Sequence, residues 1–335
     1  PKVFDKPIDL DAAKVRTVVG YLESINIMDT DLDSKGRAFE TFMGSFFRGD
    51  FGQYFTPRPI VKFIVDVLPI SNKSRVLDTS CGSGGFLLHA LDKVRKDAAR
   101  FYNQQKQQNQ YYRHWHDFAS FNLFGIELND KIARTAKMNM IMHDDGHTNV
   151  VSSDGLLSPS DIQEKTGNKG FSECSFDFIL TNPPFGSTIK QTESAYLHQY
   201  RFGTRDTDWL NPKSVASKRP NQDTEVLFIE QAHNFLKDNG YLAIVIPDGI
   251  ITNSSMQYVR DYIEELFRIV AVISLPQTAF AANGAGVKSS ILFLRKHAQS
   301  ETEAIQASKD KAKAYLLKEK KYEKKLKEIE TKKKT

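Results

Sequence analysis

Arg75-Val76-Leu77-Asp78-Thr79-Ser80-Cys81-Gly82-Ser83-Gly84-Gly85-Phe86 runs from a short apolar stretch to an acid, through a loop of small residues, into an apolar-periodic segment reaching roughly Arg100. That is a strand, a glycine-rich turn and a helix, the opening unit of a doubly wound α/β fold. The rhythm continues downstream. Residues 121–127 read as a strand, 130 to about 142 as a helix, and 150–152 as a strand ending near Asp154. Residues 176–181 read as a buried strand, 224–236 as a helix and 240–246 as a strand. A helix over 254–267 and strands over 269–275 and 289–294 complete the pattern. Alternating strands and helices predict a mainly parallel sheet.

Upstream, 10–26 and 34–47 have helix-like apolar spacing. A stiff aromatic turn follows, Gly52-Gln53-Tyr54-Phe55-Thr56-Pro57-Arg58-Pro59. Thr56 is the expected N-cap and Pro57 the expected first residue of a helix running to Leu68. The predicted organisation is a helical segment over 1–50, the α/β domain over 51–300 and a tail over 301–335. Two inserts interrupt the domain. Residues 101–118, with His114-Trp115-His116, are expected at the surface. Residues 186–222 place Lys190, Arg201, Arg205, Lys213, Lys218 and Arg219 among Tyr196, Tyr200, Phe202 and Trp209, a composition able to grip a nucleic-acid strand or simply to form a flexible loop.

Composition narrows the class. Of 335 residues 40% are hydrophobic and 26% charged, ordinary for a globular protein. Cys81 and Cys174 cannot make a disulfide framework and point to a reducing compartment, here a cytoplasmic one. No apolar run approaches a membrane span, and no signal peptide is expected. The chain opens on Pro1, as expected of one processed or cut from a longer chain. From Glu301 onward twelve Lys face seven Asp and Glu, which accounts for the whole formal charge of +5. The body is therefore neutral, so contact with nucleic acid there must come from local patches, and the Lys-rich tail reads as an exposed or partner-bound helix.

The loop after Asp78 lies where ligands bind such sheets, at the carboxyl ends of the strands. Its glycine spacing lacks the full dinucleotide fingerprint, and no Gly-Lys-Ser/Thr follows, so it is not a P-loop. An acid at the end of the first strand favours a cationic ligand. S-adenosylmethionine (AdoMet) carries an ammonium, a sulfonium and a ribose; Asp78 and Glu127 meet those needs, and Asp154 can take its adenine amine. The plain alternative is a tight turn with three solvated acids. Asn182-Pro183-Pro184-Phe185 ends the fourth strand with two prolines that remove donors, carbonyls free to accept, and a flat ring. It suits a planar amine on an aromatic ring. Cys81 reads as a loop thiol without a histidine partner. His143 and His147 read as a helix C-terminus rather than a metal pair.

In this order, Gln53-Tyr54-Phe55-Thr56-Pro57-Arg58, Asp78 to Leu87, Gly125-Ile126-Glu127 and Asn182-Pro183-Pro184-Phe185 resemble an N6-adenine DNA methyltransferase. More closely the chain is similar to the modification subunit of type I restriction–modification systems, over roughly residues 35–297. Ile246-Pro247-Asp248-Gly249 and Val287-Lys288-Ser289-Ser290-Ile291-Leu292-Phe293 strengthen the match. The loop reads Asp78-Thr79 where the family often has Asp-Pro.

The resemblance implies AdoMet contacts from the 53–58 turn, from Asp78, Thr79, Ser80, Cys81, Gly82, Ser83, Gly84 and Gly85, and from Glu127, Asp154 and Asn182. It implies catalysis at Asn182, Pro183, Pro184 and Phe185. The Asn182 oxygen and the Pro183 carbonyl accept the two N6 hydrogens, and Phe185 stacks on a flipped base. Expected partners are DNA, a specificity subunit or fused target-recognition domain, and a restriction subunit, in a bacterial or archaeal cell. Two rivals stand beside this reading. Asn-Pro-Pro also suits methylation of protein glutamine or RNA amines. A catalytically silent scaffold is the other, against which the intact Asp78, Glu127 and Asn182 argue.

Overall fold

A computed structural model of the chain describes residues 10–24, 56–143, 149–190, 195–205, 215–281 and 286–318, with Lys324, Glu328 and Thr331 singly. Its helices are α1 (Ala12–Leu22), α2 (Arg58–Val67), α3 (Gly85–Phe101), α4 (Gln108–Asn122), α5 (Asp130–Ile141), α6 (Pro159–Thr166), α7 (Thr224–Phe235), α8 (Asp248–Thr252), α9 (Gln257–Leu266) and α10 (Gln299–Lys318). Its strands are β1 (Val76–Asp78), β2 (Leu123–Glu127), β3 (Val150–Ser152), β4 (Phe176–Thr181), β5 (Thr188–Lys190), β6 (Thr204–Arg205), β7 (Ser217–Lys218), β8 (Asn221–Asp223), β9 (Leu236–Pro247), β10 (Phe267–Ser274) and β11 (Ser289–Lys296).

Among the described residues, seven strands form one sheet in the order β3-β2-β1-β4-β9-β11-β10. β1, β2, β3, β4 and β9 pair in parallel, and β11 runs antiparallel to both β9 and β10. Both faces are covered except over the edge strand β10, where Ile269, Val270 and Val272 are exposed. Ile64, Leu91 and Phe118 belong to the core on one face, and Ile162, Phe235 and Ile263 to that on the other. Burial on both faces explains why β1 and β2 are apolar throughout until their terminal acids. The chain winds outward from β1 through β2 to β3, then returns to β4 on the opposite side of β1. That reversal opens a cleft above the carboxyl ends of β1 and β4.

The mainly parallel α/β prediction holds, with three local corrections. First, α2 starts at Arg58, so Pro57 is its N-cap and Pro59 lies in its first turn; no side chain caps it, and the Thr56 hydroxyl is engaged elsewhere. Second, the expected surface stretch over 101–118 contains most of α4, which packs along α3 with Trp115 and Phe118 buried and the Arg95 guanidinium 4.0 Å from the Trp115 ring. Polar residues on its outer face mask this stripe in the sequence. Third, in the second insert Tyr200 and Phe202 are core residues, not strand-gripping rings. Tyr200 donates to the Leu156 carbonyl, and the backbone amides of Arg201 and Phe202 donate to the buried Glu230 carboxylate. Arg201 pairs with Glu265 at 2.7 Å, and Arg219 stacks 3.7 Å from the Tyr258 ring. Residues 34–47, Gln53, Tyr54, Phe55, Trp209 and His147 lie outside the described residues. His143 follows α5, with Nδ1 2.8 Å from the Asn139 carbonyl oxygen.

Candidate active site

Asp78 and Thr181 end the two strands that flank the reversal. The Asp78 carboxyl is 1% exposed and accepts the Ser80 amide at 3.0 Å. Burial pushes its pKa up to about 7, against the lowering effect of the Ser80 amide and the Thr181 hydroxyl. Glu127, 5% exposed, accepts the Gly82 amide at 3.0 Å and the Asn129 amide at 2.9 Å, and burial raises its pKa too. Neither acid forms an ion pair with any described residue. Two buried carboxyls with no ion-pair partner among the described residues make a site short of positive charge, which a cationic ligand would complete.

The loop between them is fixed. The Thr79 and Ser80 hydroxyls meet Thr181 Oγ1 at 3.1 and 2.7 Å, bridging β1 and β4. The Cys81 amide donates to the Ile126 carbonyl. Gly84 turns the chain into α3 at φ +88°, a conformation that glycine adopts without strain. Gly155, beside Asp154, is needed for a different reason: a Cβ there would lie 2.3 Å from the Thr79 carbonyl oxygen. Asp154 itself accepts the Leu156 amide at 2.9 Å. The Cys81 thiol is buried against Gly125, and burial pushes its pKa well up, so it acts as packing and not as a nucleophile.

On the β4 side, Asn182 donates from Nδ2 to the Thr56 hydroxyl oxygen at 3.0 Å. Its Oδ1 is shut off from solvent yet has no hydrogen-bond partner among the described residues. Among the described residues no hydrogen bond engages the Pro183 carbonyl either. Two acceptors on consecutive residues are thus without a donor among the described residues. The turn that follows is braced by the start of α7. The Thr224 hydroxyl donates to the Pro184 carbonyl at 2.9 Å, and the buried Glu225 carboxyl, which burial raises in pKa, lies where the Gly186 backbone acts to lower it. Phe185 is half-buried and rests on the core next to the cleft.

Reading from sequence missed Thr181, Thr224, Glu225 and Asn139. Asn139 occupies the buried stripe of α5 with Ile132, Ala133, Ala136 and Met140, and its Nδ2 donates to the Ser83 carbonyl at 2.9 Å. A polar residue at a core position of a helix was the available signal. Thr224 and Glu225 open α7, the position of helix-starting polar residues. Of the sequence-predicted residues, the structure gathers Thr56, Asp78 to Gly85, Glu127 and Asn182 to Phe185 around the reversal. The strands β2 and β3 bring Glu127 and Asp154 alongside, with the Ser153 amide donating to the Glu127 carbonyl.

The N-6 DNA Methylase family model matches residues 30–335. The chain is 25% identical over 252 residues to the type I restriction enzyme EcoEI methylase subunit of Escherichia coli, covering 74% of this chain and 43% of that protein. It is 25% identical over 296 residues to the MpnII methylase subunit of Mycoplasma pneumoniae, covering 82% and 48%. Among solved structures, the type I restriction-modification methyltransferase subunit from Streptococcus thermophilus matches with TM-score 0.58 and 24% identity, over 86% of this chain and 54% of that one. The chain therefore spans about half the length of the relatives it matches. The fold is that of AdoMet-dependent methyltransferases.

Proposed function

We propose, from the premise that this chain belongs to the N-6 DNA methylase family, that it transfers a methyl group from AdoMet to the N6 amine of adenine in DNA. The observation that carries this reading is the buried, partnerless Oδ1 of Asn182 beside the open Pro183 carbonyl. An acceptor held dry without a donor is costly, by about 1–3 kcal/mol. Such a group fits a substrate that brings its own N–H donors.

The residues divide the work. The Asp78 carboxylate receives the ligand's ammonium, and Glu127 its ribose hydroxyls. AdoMet supplies a methyl carried on a sulfonium. Asn182 Oδ1 and the Pro183 carbonyl accept the two N6 hydrogens, drawing the nitrogen toward sp³ and localising its lone pair toward the donor side. Phe185 offers a face for the base. Thr224 and Glu225 hold the turn, so that this geometry exists before the substrate arrives. No strong base is needed, because the proton leaves once the nitrogen is alkylated. Adenine inside a duplex cannot reach a cleft of this kind, so the target base flips out and displaces whatever shields Oδ1.

The neutral body supports a reading in which sequence choice lies outside these residues. We assign that choice to a specificity subunit or a target-recognition domain on the same polypeptide, in a type I-like modification assembly that works with a restriction subunit in the bacterial or archaeal cytoplasm. The likeness to two type I methylase subunits supports this. Incubation of the assembled full-length system with tritiated AdoMet and separate DNA, RNA and protein acceptors tests the reading. Label is expected at adenine N6 in DNA; label only in RNA or protein would overturn it. Single-molecule sequencing of DNA from expressing cells would then report the motif.

A further inference from the structure

We infer that Thr56 is a positioning residue, whose hydroxyl lets the Asn182 amide turn its oxygen toward the acceptor amine. The inference rests on the methyl-transfer reading above and concerns one contact within that site. An asparagine amide has two ends of nearly equal size and opposite polarity. Only the oxygen end can receive an N6 hydrogen; the nitrogen end would set donor against donor. With the oxygen facing the acceptor, the Nδ2 hydrogens point back into a half-buried setting and need an acceptor of their own. Thr56 Oγ1 provides one at 3.0 Å. Without it, the productive orientation would strand a donor.

Among the described residues the Thr56 hydroxyl makes no other hydrogen bond, which leaves it available. α2 begins without a side-chain cap, so Thr56 is not spent on the helix. Its position is nonetheless firm. Val61, Ile64 and Val65 anchor α2 in the core, and the Lys93 ammonium donates to the Val65 carbonyl in its last turn at 2.9 Å. The contact joins residues 126 apart in the chain. It thereby ties the turn expected to touch AdoMet to the group that handles the acceptor. A donor-contact role and an amide-positioning role at Thr56 make different predictions.

The test compares wild type, Thr56→Ser and Thr56→Val in the assembled full-length system on unmethylated plasmid DNA. Thr56→Val is expected to slow single-turnover methylation at saturating AdoMet by about tenfold to a hundredfold, the range of losing one well-placed hydrogen bond near the reacting atoms. Its AdoMet Kd should stay within about threefold of wild type, and Thr56→Ser should restore most of the rate. Asparagine-selective NMR adds a readout independent of turnover. The Asn182 side-chain amide pair, assigned by its loss in Asn182→Ala, should shift and exchange faster in Thr56→Val. An AdoMet Kd weakened in Thr56→Val with an unchanged saturated rate would overturn the inference and make Thr56 a donor contact. Equal slowing in Thr56→Ser and Thr56→Val would overturn it as well. A wild type that places no methyl on adenine would sink the preceding reading instead; an Asn182 amide pair unmoved in Thr56→Val would show, separately, that Thr56 does not hold that side chain.

Discussion

The turn after β1 and the turn after β4 stand side by side across the sheet reversal, yet their polar groups are treated differently. Asp78 accepts the Ser80 amide, and Glu127 those of Gly82 and Asn129, so both acids are held by the backbone. What those acids lack is positive charge. Around Asn182 the side-chain nitrogen is engaged by Thr56 while the oxygen is left open, so what is missing is a hydrogen-bond donor. On the proposed function, one side suits a cation and the other an amine. The difference suits two substrates that must meet in one cleft without exchanging places.

The sharpest way to break this division is Asn182→Ala. It should lower single-turnover methylation by about a thousandfold while leaving AdoMet affinity within a few-fold, measured by rapid quench and by calorimetric titration. Asp78→Asn should do the reverse. AdoMet affinity should fall by roughly ten- to a hundredfold, the range for a charge-assisted contact of about 1.5–3 kcal/mol, with a smaller effect on the rate at saturation.

The same acid makes pH a probe. Asp78 has its folded pKa raised from 3.8 to about 7, so the native state holds a proton that the unfolded chain has released. Stability of the ligand-free protein should therefore be greatest below pH 4, as far as this group is concerned, and decline between about pH 4 and pH 7. Asp78 alone contributes at most about 4 kcal/mol to that decline. Urea titrations across this window should show a steeper slope in wild type than in Asp78→Asn, where the other buried carboxyls, Glu127 among them, still titrate. AdoMet affinity should move the opposite way, rising with pH up to about 7, because the ammonium needs the carboxylate form.

Smaller effects separate bracing from chemistry. Thr224→Val removes the hydroxyl that holds the Pro184 carbonyl. It should cost about 1 kcal/mol in stability and only a few-fold in rate, read by denaturant midpoints and steady-state assays. Deleting residues 301–335 removes Glu301, which pairs with Arg295, and the exposed pair of Lys309 with Glu265. Such surface pairs are worth about 0–1 kcal/mol, so AdoMet affinity should be unchanged while binding of DNA or partner weakens. Unchanged DNA and partner binding after the truncation would remove the tail from the interaction surface.

Much of this was legible in the chain itself. β4 was read with its observed limits, because six residues of apolar character followed by two prolines leave little choice of conformation. β1, the glycine loop and α3 followed from the shift in apolar period and from the small residues between them. Helix α4 was hidden because its buried stripe lies among glutamines, histidines and tyrosines, and burial depends on what α3 presents to it. The burial of Tyr200 and Phe202 was likewise hidden, since the partners that hold their backbone lie on α7.

The sequence by itself determined the class of fold, the acids that end β1 and β2, and the Asn-Pro-Pro-Phe turn. These depend on local periodicity, on glycine and proline geometry, and on residue type. Only the tertiary structure decided which atoms of those residues are satisfied and which are open. That Asn182 spends its nitrogen on Thr56, and that Thr181 bridges to Thr79 and Ser80, are facts about groups 101 to 126 residues apart; that Asp78 forms no ion pair is a fact about what the fold sets around it among the described residues. A hydrogen bond requires two atoms at about 3 Å with the right direction. No spacing along the chain specifies that until the sheet order brings β1, β4 and the start of α2 together.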